Sequence, residues 1–131
     1  MYLRSLTLGA ILAAVAGAAS AETTDRTVKA NATTAIGGFA SYEVDTCYRG
    51  AIPDAKVRNQ PSNGSLVIRP YQTTLGKDTH CPGLQVDGVV YVYTPKKGFK
   101  GADEVTIDVP FQSTDVGMPI LRSYTFRIKV E

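Results

Sequence analysis

Hydrophobic and polar positions alternate most regularly in the last third of the chain. Val105, Ile107, Val109 and Phe111 fall on one side, with Glu104, Thr106, Asp108 and Pro110 on the other. The same order returns later, with Tyr124, Phe126, Ile128 and Val130 set against Thr125, Arg127 and Lys129. Successive side chains of a strand point to opposite faces, so a period of two predicts two strands with one buried face each. Pro110 has no N–H to give to a ladder, which puts the first of these strands at an edge or bends it there. Gly88 to Thr94 reads differently. Every residue from Val89 to Tyr93 is β-branched or aromatic, an apolar run on both faces that predicts a central strand.

Shorter strands are expected upstream. Phe39, Tyr42 and Val44 lead toward Cys47, and Ala55 to Gln60 forms another strand around Val57. Pro61-Ser62-Asn63-Gly64 is the strongest hairpin signal, because Asn-Gly tolerates the positive φ of a tight turn, and Ser65 to Arg69 is the returning strand. Residues 22–34 are polar and read as a flexible lead-in with a short edge strand near Thr27 to Ala32. Pro70 to Gln85 is the irregular part, a long loop of the kind that is often functional. No amphipathic helix longer than two turns is written here. The expectation is an all-β domain over residues 35–131, a sandwich of about six to eight antiparallel strands.

Residues 1–21 have a different character. Arg4 is a short positive leader, Leu6 to Ala18 are apolar or small, and Ala19-Ser20-Ala21 is a small-x-small cleavage site. The run is shorter than the roughly 20 apolar residues a spanning helix needs. It reads as an export signal, which predicts a periplasmic or secreted protein with no membrane span after processing. Processing removes Arg4 alone among the charged residues, lowering the formal net charge from +2 by one. That balance argues against nucleic acid as a partner. Cys47 and Cys81 make an even pair in an exported chain, so a disulfide is expected, stabilising by roughly 3.5–4 kcal/mol.

The segment Tyr91 to Asp103 is the most distinctive: an alternating strand, a Pro-led loop, one Phe between two glycines, and an Asp before the next strand. Pro95 ends the strand, while Gly98 and Gly101 allow backbone angles closed to other residues. Phe99 is expected to fold back over one end of the core, worth roughly 2–3 kcal/mol, and Asp103 to accept backbone amides. This Tyr-x-Pro then Gly-Phe-x-Gly-x-Asp order resembles bacterial immunoglobulin-like and cadherin-like β-sandwich domains. Val57, Pro61, Gly64, Leu66 and Ile68 follow the same family's strand, turn and strand. The resemblance implies a spacer, adhesive or binding module of exported proteins. The chain departs from it in standing alone and in carrying two cysteines. The Asp-x-Asn-Asp-Asn and Asp-Arg-Glu motifs of calcium-binding cadherins are absent, so calcium is not carried over.

Reactive groups are sparse. A blue-copper site wants two His, one Cys thiolate and usually a Met, and this chain has only His80 beside Cys81, with Met118 elsewhere. Catalytic zinc wants three protein ligands. A Ser-His-Asp triad would have to use His80, and no Gly-x-Ser-x-Gly elbow accompanies it; Ser65 follows Gly64 on a turn. Asp78, His80 and Asp87 are the only core for an alternative enzymatic or metal-handling role. Asn31-Ala32-Thr33 and Asn63-Gly64-Ser65 match a glycosylation sequon, without weight in the bacterial host that the Ala-rich signal suggests.

No catalytic residue, metal or cofactor is therefore assigned. The expected role is non-enzymatic binding of a protein or glycan of the cell envelope. The expected contact surface combines Tyr71, His80, Lys96, Lys97 and Lys100, from loops Tyr71 to Pro82, Lys96 to Lys100 and Ser113 to Pro119. Tyr48 and Tyr71 offer a stacking or docking surface, the three lysines a basic one. Lysines at a loop tip also serve simply to keep it solvated and its strand edges protected. A third reading is a subunit that adds an edge strand to an envelope complex.

Overall fold

The computed structural model describes residues 20–52, 54–112 and 119–131. The strands are β1 (Ser20–Val28), β2 (Thr34–Ala40), β3 (Tyr42–Glu43), β4 (Tyr48–Arg49), β5 (Lys56–Asn59), β6 (Gly64–Thr74), β7 (Gln85–Pro95), β8 (Gly101–Gln112) and β9 (Pro119–Val130). A four-stranded sheet has the order β1-β9-β8-β5, a three-stranded sheet the order β2-β7-β6, and β3-β4 is a separate ribbon. Lettered A to G with the ribbon set aside, the layers are A-G-F-C and B-E-D. In the immunoglobulin constant arrangement strand A pairs with B; here it has crossed to G. The fold is an immunoglobulin-like β-sandwich with one disulfide.

The alternation read along the last two strands builds the core. Val105, Ile107 and Val109 of β8 have no exposed surface, and Phe126, Ile128 and Val130 of β9 lie beside them. Tyr91, Tyr93 and Val89 of β7 face them from the other sheet, with Leu66 of β6, Ile36 of β2 and Val28 of β1. Burying each such side chain contributes about 1.5–3 kcal/mol. At one end Phe39 and Phe111 meet edge to face, with ring centroids 4.9 Å apart. At the other end Phe99 packs half-buried against the core.

Several expectations need correction. The polar segment from Glu22 is no flexible lead-in, since β1 pairs in parallel with β9 over nine residues, Ser20 to Val28. Strand pairing is thus not antiparallel throughout. The export segment 1–21 lies outside the described residues except for Ser20 and Ala21. β8 is an inner strand, and its Pro110 falls beyond Asp108, where pairing with β5 stops. Pro70 to Thr74, read as loop, continues β6 against β7.

Pro61 to Gly64 is not a hairpin, because β5 and β6 belong to different sheets. Neither Asn63 nor Gly64 takes a positive φ. Gly64 is needed for space: a Cβ there would stand 2.6 Å from the Thr94 carbonyl oxygen and 2.7 Å from the Tyr93 ring.

Candidate interaction surface

The two ends of the sandwich differ in chemistry, and the strand directions decide which side chain goes where. One end gathers the C-termini of β2, β6 and β8 with the N-termini of β7 and β9. The ribbon β3-β4 and the tip of the β6-β7 hairpin also lie there. Cys47 in the ribbon bonds Cys81 in the hairpin loop, with Cα atoms 5.6 Å apart. The disulfide expected from the sequence is present, but it does not join the two sheets. It fastens the ribbon to the hairpin, and Cys81 is buried in the process. Arg49 Nε adds a second fastening, donating to the Gln85 carbonyl at 2.7 Å.

Around that bond the surface is mixed: Asp45, Thr46, Arg49, Lys77, Asp78 and His80 are exposed together with large apolar side chains. Seven large hydrophobic side chains stand exposed among the described residues, and six belong to this end: Val44, Tyr48, Ile52, Tyr71, Ile120 and Leu121. Tyr48 is 71% exposed and Tyr71 53%, values that leave both rings available to a partner. At the same end the guanidinium of Arg122 lies 4.8 Å over the ring of Phe111, which pairs across the strands with Ile120. The seventh, Val67, is on the outer face of the three-stranded sheet, beside half-buried Val90 and Val92.

The signature loop occupies the opposite end. Gly98 and Gly101 have φ of 77° and 135°, as their places in the motif required. The Gly98 N–H donates to Asn31 Oδ1 at 2.8 Å, and the Phe99 N–H closes a turn on the Lys96 carbonyl at 3.0 Å. Lys96 Nζ donates to the Ser62 carbonyl at 3.1 Å. Asp103 holds more than its own loop. Its carboxylate accepts the N–H groups of Ser62, Asn63 and Glu104 at 3.0, 3.2 and 3.0 Å, and the Tyr93 hydroxyl at 2.7 Å. The loop of Pro95, Gly98, Phe99, Gly101 and Asp103 is built as a corner brace.

The structure therefore separates residues that the sequence reading had joined. Tyr71 and His80 lie at the disulfide end, whereas Lys96, Lys97 and Lys100 lie at the other. They form no common surface. Of the third loop, Ser113 to Pro119, only Pro119 is among the described residues. Asp87 accepts a bond from Gln72 Nε2 at 3.0 Å across the hairpin, and Asp78 and His80 are exposed nearer its tip. Among the described residues no group of three His, Cys, Asp or Glu side chains is placed to hold a metal ion. No helix there is long and apolar enough to cross a membrane.

A groove of about 770 Å³ runs between Asp25–Thr27, Ser62–Asn63, Gly101–Glu104 and Arg127–Lys129. Its charges are mixed, and Arg127 pairs with Asp25 at 3.0 Å. A groove so neutralised offers no strong field to a charged ligand.

The sequence reading picked out Tyr48 and Tyr71 and missed Ile52, Ile120 and Leu121, and it placed Val44 in a strand leading to Cys47, whereas Val44 follows the end of β3 and is exposed. The available signal was apolar residues next to prolines in the sequence, in Ile52-Pro53 and Pro119-Ile120-Leu121. No family model, curated protein or solved structure matches this chain, and the immunoglobulin-like likeness rests on its strand order and on the Tyr91–Asp103 motif.

Proposed function

We propose that this chain is an exported, non-enzymatic interaction module that docks on a protein of the cell envelope through its disulfide end. The observation that carries this reading is the concentration there of Val44, Tyr48, Ile52, Tyr71, Ile120 and Leu121 as exposed side chains. Isolated exposed hydrophobics are ordinary on any protein surface, but six of the seven exposed among the described residues gather at one end of the sandwich, which supports a contact site there. Two tyrosines are suited to the centre of an interface, where a rigid ring brings area and a hydroxyl brings a hydrogen bond. The aliphatic companions favour a protein over a glycan, since a sugar face stacks on aromatic rings and gains little from Val, Ile and Leu. The disulfide fixes the ribbon that carries Tyr48, which lowers the entropy lost on binding. The export signal, the disulfide and the likeness to bacterial immunoglobulin-like domains support a periplasmic or secreted location.

The test is capture of envelope proteins on immobilised wild type and on two triple variants. Tyr48→Ser, Ile52→Ser and Leu121→Ser together should abolish capture of a specific partner. Lys96→Ser, Lys97→Ser and Lys100→Ser together should leave it intact. The reverse pattern, or retention by both, would overturn this reading; selective elution by a polysaccharide would replace the protein partner with a glycan.

A further inference from the structure

The free edges of the two sheets differ in how they meet another strand. On β6 the Gln60 carboxamide brackets Leu66: Nε2 donates to the Leu66 carbonyl at 3.3 Å and Oε1 accepts its N–H at 3.1 Å. Farther along the same edge Pro70 has no N–H to offer. On β2 the register shifts between Ala35 and Gly37, and Arg26 Nε donates to the Ile36 carbonyl at 2.7 Å. β5 is four residues long, is itself bulged, and carries Lys56 and Arg58. These are devices that stop edge-to-edge pairing. β1 is nine residues long, keeps an unbroken register with β9, and has neither proline nor bulge.

What β1 carries is charge. Glu22 and Arg26 have the same parity as Val28 and fall on the core-facing side, whereas Asp25 faces solvent and pairs with Arg127. Inward charges on an edge strand normally repel an incoming strand. These two differ in sign and are four residues apart. They become complementary when the strand meets a copy of itself running the other way.

We propose that β1 pairs antiparallel with β1 of a second copy, with Thr24 opposite Thr24. In that register Glu22 stands opposite Arg26 at two places related by the two-fold axis, and in the processed chain, which begins at Glu22, the residues from Glu22 to Arg26 overlap. Centring on Glu22, Asp25 or Arg26 sets like charges face to face, and centring on Thr23 leaves every charge without a partner. The same charges that discourage foreign strands thus select one register, which is specificity by repulsion of alternatives. The contact is isologous, as two-fold dimers require. The two four-stranded sheets become one continuous sheet, and the two-fold axis points the disulfide ends in opposite directions. This surface is separate from the docking end, so the dimer would present two such ends to two partners.

Sedimentation equilibrium on protein purified from an exporting host tests the pairing. The wild type should show a concentration-dependent mass of two chains. Glu22→Arg and Arg26→Glu, each alone, should weaken it roughly tenfold or more by setting like charges opposite each other. An equimolar mixture of the two variants should recover a heterodimer, because both contacts are again of opposite sign. A wild type that stays monomeric, or a dimer indifferent to Glu22→Arg, overturns the proposal.

Arg26 also holds the Ile36 carbonyl, so a cross-linking series keeps the test independent of it. Mild oxidation should link Thr24→Cys chains to each other and leave Thr27→Cys chains unlinked, since Thr27 lies beyond the overlap of two processed chains. Equal linking of both, or none, sinks the register. Loss of dimerisation with intact partner capture would reject this inference alone and leave the docking end standing.

Discussion

The Tyr93 hydroxyl donates a 2.7 Å hydrogen bond to Asp103 Oδ2 inside the sandwich, and through it the central strand of one sheet is tied to the first turn of β8 in the other. Tyr93 has no exposed surface and Asp103 is 8% exposed. Three backbone N–H groups complete the carboxylate's shell, two of them from the corner between β5 and β6. A buried carboxylate is tolerated when such donors surround it. Tyr93→Phe removes one of them and should cost about 1–3 kcal/mol. Asp103→Ala should cost more than Tyr93→Phe, because it also strands the amides of Ser62 and Asn63. Urea denaturation of both variants checks the order; equal stability of all three proteins would reject the brace.

Alkaline titration gives a second prediction. Burial, and then the neighbouring Tyr124, push the Tyr91 hydroxyl up to about 12. Burial, the Asp103 hydrogen bond and the Asp103 charge push Tyr93 upward as well. A raised value in the folded state means the unfolded chain releases its proton first, at a pH of about 10. The stability is then fully present below about pH 10 and is lost as the pH rises through the folded values. Denaturation midpoints measured at increasing pH should begin to fall near 10, and Tyr91→Phe should make that fall shallower. A midpoint unchanged up to pH 12 would contradict this assignment.

The disulfide should matter for stability and for binding, but not for the joining of the sheets. Its sequence separation of 34 corresponds to about 3.5–4 kcal/mol of loop-closure entropy in the unfolded chain. Replacing Cys47 and Cys81 by Ala should lower the unfolding free energy by about that amount while keeping the far-ultraviolet signature of β structure. Amide exchange should quicken in residues 42–49 and 75–84 and stay slow in β8 and β9. Uniformly faster exchange would show that the bond holds the sandwich itself.

Gly64→Ala tests the corner from another side. The added methyl would meet the Thr94 carbonyl and the Tyr93 ring at 2.6 and 2.7 Å. Overpacking of this kind costs typically 1–3 kcal/mol. Because the shift falls on Tyr93, the double variant with Tyr93→Phe should lose less than the two single losses added together. Strict additivity, measured by denaturant unfolding, would uncouple the glycine from the brace.

The legible parts of this fold were those where local pattern and burial agree. Val105 to Val109 and Phe126 to Val130 alternate because each strand has one core face, and β7 is the central strand of its sheet, with Val89, Tyr91 and Tyr93 in the core and Val90 and Val92 half-buried on the outer face. The Cys47–Cys81 bond followed from an even cysteine count in a chain whose first residues read as an export signal. The Asn-Gly turn misled. The dipeptide signals a reversal of direction, and nothing in it says whether the next strand returns to the same sheet or crosses to the opposite one. Gln60 and Asp103, from outside the turn, make that choice through Leu66 and the Ser62 and Asn63 amides.

The contact surface shows the same division. That Tyr48 and Tyr71 are amphipathic residues outside the regular apolar alternation was written in the chain, whereas the exposure of Ile52 and Leu121 was not. That they share an end, while Lys96, Lys97 and Lys100 face the other way, depends on the direction in which each strand runs through its sheet. The alternation of side chains fixed strands, faces and core, because period and polarity are properties of neighbours along the chain. Parallel pairing of β1 with β9, the crossing at Gly64 and the parting of tyrosines from lysines were settled by contacts between residues tens of positions apart. Their energies appear only once the two layers have closed on each other.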